Sequence, residues 1–180
     1  MTSWFVKQIP LNLGEVDLSR IKGEFLETYD GSFKTYSIKD PQYLKELEDK
    51  HIHFGIPADL NVYTEVEAEG TWPHSDNCAT ALNYYVKADE ARLWWFEETT
   101  ASSETILSSS KDSTSYKFAL ENLKPLGFVE PKDNEGWLLN TKKIHMVEKL
   151  NPDAPRFMIR WIWWNVRPDL VLKRMTFKNT

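Results

Sequence analysis

The sequence predicts a mainly β (α+β) protein whose strands, about eight of them, close into a jelly roll with two or three helices packed on one face. Residues 60–68 alternate with period two, Leu60, Val62 and Val66 pointing to one side of a strand. Aromatic residues make up 13% of the chain, with 8 Trp, which suits sheets with buried aromatic faces. Rolling the strands into a double sheet avoids a long open edge, and this favours the jelly roll.

The first half of the chain carries most of the helix signals. An edge strand is predicted at residues 5–9, and apolar residues near helical spacing predict a short helix over residues 16–26. A strand over residues 33–38 follows. Asp40-Pro41 then predicts a helix running to about Lys50, because Asp is a good N-cap and Pro suits the first helical position.

The second half consists mainly of strand signals. Strands at residues 81–87 and 92–97, joined by a polar turn, are predicted to form a hairpin. The Ser/Thr-rich segment 99–115 is typical of a surface loop, and a helix is predicted over residues 116–124, ended by Pro125. Further strands are predicted at residues 137–140, 144–150 and 157–166.

Length and charge restrict the classes of function. At 180 residues one domain is expected, with support at residues 1–58, a β core at 59–167 and a C-terminal tail at 168–180. A formal net charge of -5 argues against a protein that follows a phosphate backbone, so nucleic acid is not an expected partner.

The cysteine count and the length of the apolar runs indicate the cellular compartment. Cys78 is the one cysteine, so no internal disulfide is expected, and neither a signal peptide nor an apolar run of the ~20 residues needed to cross a bilayer is apparent. We therefore expect a cytoplasmic protein with no membrane partner. The composition does not indicate an oligomeric state.

The stretch Trp72-Pro-His-Ser-Asp76 contains the strongest chemical signal. In extended backbone His74 and Asp76 leave the same face, so an imidazole and a carboxylate can converge on one metal ion. His145, beside a later strand, is the candidate third ligand. Two histidines and one carboxylate form the facial triad of non-haem Fe(II) oxygenases. His51 and His53 share the spacing but lack a third ligand flanked by strands, so we assign them no metal.

An ordered series of motifs resembles the Fe(II)/2-oxoglutarate-dependent oxygenases, most closely the small prolyl-4-hydroxylase-like branch that is also widespread in viruses. The resemblance covers roughly residues 63–163. Its motifs are Gly70-Thr-Trp-Pro-His-Ser-Asp76, Leu82-Asn-Tyr-Tyr-Val86, Glu130-Pro131 to Asn140, His145-Met-Val and Arg156-Phe-Met-Ile. It implies a double-stranded β-helix (jelly-roll, cupin-like) core.

The resemblance also implies a site. Fe(II) would be held by His74, Asp76 and His145, and 2-oxoglutarate and O₂ would be the cosubstrates. Arg156 would pair with the 5-carboxylate of 2-oxoglutarate, a role that suits the bidentate guanidinium. The reaction implied is hydroxylation of an unactivated C–H bond, with a prolyl or other peptidyl side chain as first expectation and a free amino acid or small molecule as second.

Further residues are candidates for contact with the cosubstrate. Arg160 lies four residues beyond Arg156 on the same strand face and departs from the family pattern; we expect Arg156 to be the main anchor. Tyr84 matches the family's cosubstrate-binding tyrosine best, and Tyr63 follows the same logic on the preceding strand. Alternation puts Asn83 on the face opposite Tyr84, so only one of these sets can point inward.

Other interpretations remain open. His74 and His145 could be structural histidines at strand ends, and Asp76-Asn77 could open a turn. The protein could then be a non-catalytic β-helix module for binding or assembly. A cupin-like metal enzyme that does not use 2-oxoglutarate is a further alternative, and such an enzyme would not need Arg156. Cys78 is expected to be a bystander, since a thiolate favours other metals.

Overall fold

The computed structural model describes residues 5–29, 33–66, 70–88, 90–99, 106–110 and 113–178. Three α-helices lie within these residues: α1 Leu18–Ile21, α2 Pro41–His51 and α3 Pro168–Arg174. The strands before the predicted metal motif are β1 Val6–Ile9, β2 Lys22–Tyr29, β3 Phe33–Ile38, β4 Ile52–His53 and β5 Leu60–Val66. The later strands are β6 His74–Ser75, β7 Thr80–Lys87, β8 Ala91–Glu98, β9 Ile106–Ser110, β10 Ser113–Lys117, β11 Leu123–Val129, β12 Glu135–Leu139, β13 His145–Lys149, β14 Arg156–Trp163 and β15 Thr176–Phe177.

The strands form two main antiparallel sheets. The larger sheet has seven strands in the order β1-β12-β7-β14-β5-β3-β2, and the smaller has six in the order β11-β8-β13-β6-β10-β9. From β5 to β8 the chain passes from one sheet to the other at each step, and from β11 to β14 it does so again. This alternation is the double-stranded β-helix, or jelly roll, so the predicted fold class is confirmed.

The larger sheet is buried on both faces. Alternation along β14 sends Arg156, Met158 and Arg160 to the face that meets the smaller sheet. An apolar cluster between the two sheets joins Val66, Tyr85, Leu139 and Met158 of the larger sheet to Leu93, Trp95 and Val147 of the smaller one. The site described below lies in this inner layer.

The opposite face of the larger sheet carries the helices. Leu44 of α2 and Val171 of α3 belong there to one apolar cluster with Ile159 and Trp161 of β14. The Trp161 indole N–H donates a 2.6 Å hydrogen bond to Glu48 Oε1 on α2. Helix α2 starts as predicted, because the Asp40 side chain accepts from the Tyr43 amide as N-cap. The expected packing of helices on one face is therefore present.

The predicted hairpin at residues 81–97 is wrong. Strand β7 pairs with β12 and β14 in the larger sheet, whereas β8 pairs with β11 and β13 in the smaller one. The short polar connection after Ala88 crosses between sheets. A short turn between two alternating runs predicts a hairpin by local rules, and only the tertiary packing separates the strands.

Three other local predictions also fail. Helix α1 covers only Leu18–Ile21, and residues 22–26 of the predicted helix 16–26 belong to β2, which pairs with β3. The predicted loop 99–115 contains β9 and part of β10, although residues 100–105 and 111–112 lie outside the described residues. In place of a helix over residues 116–124 there is a single 3₁₀ turn, Leu120–Asn122, before β11. Pro125 is tolerated in β11 because that strand is an edge of its sheet.

Residues 168–180, predicted to be a tail, include helix α3 and strand β15, which pairs with β4. In the described ranges, every helix is too short or too polar to cross a bilayer.

Candidate metal site

The structure brings the three predicted ligands together. His74 begins β6, Asp76 follows that strand directly, and His145 begins β13. His145 is the antiparallel partner of His74, and their ring centroids are 4.4 Å apart. One ligating atom from each of His74, Asp76 and His145 lies within 4.8 Å of the others, and they form the one such group among the described residues.

Backbone carbonyls determine which nitrogen each imidazole presents. His74 Nδ1 lies 2.7 Å from the Trp72 carbonyl oxygen, and His145 Nδ1 lies 2.8 Å from that of Lys143. A carbonyl only accepts, so Nδ1 donates in both rings and Nε2 is the nitrogen left to face a metal ion. Burial, with the charge of His74, lowers the pKa of His145 to about 4. His145 is therefore neutral at pH 7, the form that binds metals.

Asp76 provides the oxygen ligand as a carboxylate. Its Oδ1 lies 3.3 Å from His74 Nε2 and its Oδ2 lies 3.4 Å from Arg160 Nη2. Burial by itself would raise the pKa of Asp76, but the contact with His74 and the positive charge of Arg160 outweigh it and hold the pKa well below the ordinary value. The Asp76 amide also donates to the Thr141 carbonyl at 2.8 Å, which fixes the backbone there.

Two imidazole nitrogens and one carboxylate oxygen fit a first-row divalent metal. Three protein ligands leave coordination positions open, as the facial triad does in non-haem iron enzymes. The carbonyl partners of Nδ1 are the outer interactions that orient metal-ligating histidines. On donor type, tautomer and proximity, the residues present fit a metal ion.

A narrow cavity of ≈ 40 Å³ lies between the sheets beside the trio. His74, His145, Asn83, Tyr85 and Arg160 all line it, together with Phe33, Thr64, Val66, Thr71, Leu93, Leu139, Val147 and Met158. Most of this lining is apolar. Thr64 is 2% exposed, and its hydroxyl has no hydrogen-bond partner in the described part of the chain.

Arg156 lies at the far end of this inner layer and is 1% exposed. Its Nη1 donates to the Ala88 carbonyl at 2.8 Å, and its guanidinium carbon lies 4.7 Å from the centre of the Tyr85 ring. Its Nε and Nη2 are buried with no hydrogen-bond partner among the residues described. These two N–H groups form one side of the guanidinium fork, the arrangement that binds a carboxylate with two parallel hydrogen bonds.

Arg160 sits at the metal end instead. It faces the cavity four residues beyond Arg156, donates from Nε to Asn83 Oδ1 at 3.1 Å, and contacts Asp76 through Nη2. Asn83 is 6% exposed and lines the cavity, so of Asn83 and Tyr84, which alternate on one strand, Asn83 is the one that points inward. The two arginines are therefore separated along β14, one beside the trio and one remote from it.

Two predicted cosubstrate contacts need correction. Tyr84 points to the helix face of the larger sheet, where its hydroxyl accepts from the Leu13 amide at 3.1 Å. Tyr63 packs on the same helix face, with its hydroxyl donating to Glu65 at 3.1 Å. Period-two alternation along β5 and β7 sends Thr64 and Tyr85 inward instead. The sequence prediction missed Thr64 and Tyr85 as inward residues, and the period-two alternation of their strands could have indicated them.

Cys78 lies near the trio without joining it. Its Sγ is 3.3 Å from Thr141 Oγ1 and 3.9 Å from Asp76 Oδ2. Burial and the charge of Asp76 raise the pKa of the thiol to about 12, so at neutral pH it is not a thiolate ligand. His51 and His53 lie on α2 and β4, away from the cavity lining.

The chain is a jelly-roll protein with a candidate metal centre. No protein-family model matches it, and no curated protein does. Among solved structures, one from a study of the Mn(II) centres of Bacillus subtilis oxalate decarboxylase matches at 14% identity over 79% of this chain and 28% of that chain, with a TM-score of 0.38. Another, from a study of proton-coupled electron transfer in oxalate decarboxylase, matches at 15% identity over 78% and 28%, with a TM-score of 0.37.

The chain thus spans 28% of the length of these oxalate decarboxylases. At such TM-scores the likeness carries no argument about metal, substrate or reaction. The jelly-roll assignment rests on the strand order, and the metal site rests on the three side chains.

Proposed function

We propose that the protein is an Fe(II)- and 2-oxoglutarate-dependent oxygenase that hydroxylates an unactivated C–H bond. The observation that carries the proposal is the buried guanidinium of Arg156, whose Nε and Nη2 have no partner among the described residues. It lies on the same inner face of β14 as the metal-side Arg160. An enzyme that used the metal alone would not need such an anchor.

Burying a guanidinium without a carboxylate partner is unfavourable, because the charge loses its hydration, which costs roughly several kcal/mol, and no ion pair offsets that loss. A carboxylate that accepted from Nε and Nη2 would remove that penalty. Thr64 on β5 pairs with Met158 on β14, and Met158 lies two residues from Arg156 on the same inner face of that strand. Its unpartnered hydroxyl is a suitable further donor to the same carboxylate.

The two arginines suit the two ends of a dicarboxylate. Arg156 and Arg160 are four residues apart, about 13 Å along an extended strand, and their long side chains can shorten that span. Arg160 would face the carboxylate that approaches the metal, and Arg156 the remote one. This arrangement favours a diacid, since a monoacid bound at the metal end would leave Nε and Nη2 of Arg156 unpaired.

The trio would hold the iron. His74 and His145 would bind through Nε2, with Nδ1 kept in place by the Trp72 and Lys143 carbonyls. Asp76 would bind as a carboxylate, and Arg160 would orient its outer oxygen. When bound, Fe(II) with 2-oxoglutarate and O₂ supplies the oxidising chemistry; the apolar walls of the cavity would exclude water from it.

A prolyl or other peptidyl substrate is part of the proposal, on the ground of the motif resemblance. Trp72 supports a substrate surface at this place. Trp72 is 64% exposed, and its backbone carbonyl accepts from His74, so an exposed aromatic residue lies two positions before a candidate metal ligand. An exposed aromatic ring next to a reaction centre can pack against an apolar ring or side chain.

The test is a titration of 2-oxoglutarate into the anaerobic Fe(II) protein, followed by the metal-to-ligand charge-transfer absorption of a chelated 2-oxoacid. Removing one partner of a buried ion pair typically costs about 3–5 kcal/mol, so Arg156→Ala should weaken binding by roughly two or more orders of magnitude. Arg167→Ala is the matched control, because Arg167 is largely exposed and pairs only with Asp169 among the described residues.

Equal affinity in wild type and Arg156→Ala would remove Arg156 from the proposal. Iron binding without any absorption dependent on 2-oxoglutarate would favour the second candidate, a cupin-like metal enzyme that does not use this cosubstrate. The narrowness of the cavity supports that candidate: at about 10–15 Å³ of such space per water, ≈ 40 Å³ has room for roughly three water molecules. A five-carbon diacid would have to displace lining side chains.

A further inference from the structure

The two histidines are joined by very little regular sheet. Strand β6 contains two residues, and it pairs with β13 at one position, His74 with His145. By contrast, β13 pairs with β8 at five positions, from His145 to Lys149. On its other edge β6 pairs with β10 at two positions, whereas against β13 the regular ladder supplies a single rung.

Thr71 supplies a second rung. Its amide donates to the Val147 carbonyl at 2.9 Å, and the Val147 amide donates to the Thr71 hydroxyl oxygen at 2.8 Å. A residue pair in an antiparallel ladder exchanges two such bonds between backbones. Here a side-chain hydroxyl takes the place of the backbone carbonyl, because the chain must turn towards His74.

The residue before Thr71 shows how closely the chains approach. Gly70 has a φ of +77°, and a Cβ atom there would lie 2.2 Å from the Val147 carbonyl oxygen. Only glycine allows that approach without a shift of backbone. The residue after Thr71 is Trp72, whose carbonyl accepts from His74 Nδ1. Thr71 is thus linked to β13 on one side and to the orientation of the His74 ring on the other.

We propose that Thr71 is a positioning residue of the metal site, and that its two hydrogen bonds to Val147 set the separation of the His74 and His145 ligand atoms. The inference rests on the metal centre of the proposed function but not on 2-oxoglutarate. A threonine or serine hydroxyl is required at this position, since the Val147 amide needs an acceptor.

The experiment measures Mn(II) affinity and thermal unfolding of the full chain for four proteins: wild type, Thr71→Val, Thr71→Ser and Thr80→Val. Loss of an outer interaction around a metal site typically weakens metal binding by about 10–100-fold, and we expect that loss in Thr71→Val. Thr71→Ser should stay within about threefold, because it keeps the hydroxyl. Thr80→Val is the matched control, since the Thr80 hydroxyl is also hydrogen-bonded to the backbone, at the Val166 carbonyl, and Thr80 is buried on strand β7.

Equal affinity in Thr71→Val and wild type would overturn the proposal, as would an equal loss in Thr80→Val, which would tie affinity to general stability. Weak binding by Thr71→Ser would also overturn it. If the wild type takes up no Mn(II), the metal centre itself fails, and hydrogen exchange of the Val147 amide then decides. Faster exchange in Thr71→Val alone supports the link between Thr71 and Val147, and unchanged exchange overturns it.

Discussion

Buried polar atoms without partners divide into two groups in this protein. Among the described residues, such side-chain atoms belong to His51, Asn61, Thr64 and Arg156. Thr64 and Arg156 face the interior between the sheets, where the candidate metal site lies. Native proteins leave few buried polar groups unpaired, so a pair of them in one layer indicates a missing ligand. His51 lies on helix α2, and its burial affects how the stability of the fold depends on pH.

Replacement of Cys78 by serine should leave metal binding intact. The thiol is protonated at neutral pH because burial raises its pKa to about 12, and it is not one of the three ligands. Mn(II) affinity of Cys78→Ser, measured by calorimetry, should remain within about threefold of wild type, or about 0.7 kcal/mol. A tenfold loss would show that sulfur belongs to the ligand set.

His51 should make the fold sensitive to acid. Burial, with the charge of Lys50, lowers the pKa of His51 below its ordinary 6.5. The unfolded chain therefore binds a proton more readily than the folded one. The free energy of unfolding is therefore unaffected by His51 above about pH 6.5. It falls as the pH drops from there towards the lower folded pKa, by at most about 1.4 kcal/mol per pH unit.

The measurement is the free energy of unfolding in urea at about pH 7.5 and about pH 5. His51→Phe should lose less stability between these two pH values than wild type. His53→Phe is the matched control, because His53 is a nearby histidine whose side chain is exposed on β4. An unaltered pH dependence in His51→Phe would show that this imidazole is not held neutral.

Strand β14 has two buried faces with different chemistry. Its inner face presents Arg156 and Arg160 to the site, and its outer face presents Ile159 and Trp161 to the helices. Strand β7 repeats the division, with Asn83 inward and Tyr84 outward. The helix layer thus supports the sheet that carries the polar site, without touching the metal ligands.

Helix α2 should contribute to stability without contributing to metal affinity. Leu44 is 2% exposed in the helix-side core, and leucine-to-alanine changes at such sites typically cost about 2–5 kcal/mol. Urea unfolding of Leu44→Ala should show this loss, while folded Leu44→Ala should bind Mn(II) as wild type does. Gln42→Ala, at an exposed position of the same helix, should change stability by about 0.5 kcal/mol or less. Weakened metal binding in folded Leu44→Ala would show that the two layers are coupled.

At the scale of the molecule, the metal would link two neighbouring strands of the smaller sheet. His74 and Asp76 lie at β6 and His145 at β13, three residues that an unfolded chain does not hold together. A ligand that binds only the folded state stabilises it by RT ln(1 + [L]/Kd), about 2.7 kcal/mol at a free concentration of about 100 Kd.

Addition of Mn(II), or of Fe(II) without oxygen, should therefore raise the unfolding temperature of the wild type. His145→Ala should show no such rise, because one of three ligands is missing. His53→Ala is the matched histidine control and should respond as wild type does. A rise retained in His145→Ala would place the metal elsewhere in the chain.

Local patterns were sufficient for most strands and for two of the three candidate metal ligands. Alternation predicted β5, the Asp40 cap predicted the start of α2, and the His-x-Asp spacing placed two ligands on one side of an extended segment. These features depend on neighbours within a few residues, which the order of residues determines directly.

Only the tertiary structure decided which sheet and which face each strand joined. Strands β7 and β8 look like a hairpin locally, yet they pair in different sheets because the roll closes through long-range partners. Both faces of β7 are buried, so apolarity alone could not tell whether Tyr84 or Asn83 pointed inward. Once packing against the helices had taken the Tyr84 face, the opposite face was left for the metal site, and with it Asn83, Tyr85 and the arginines of β14.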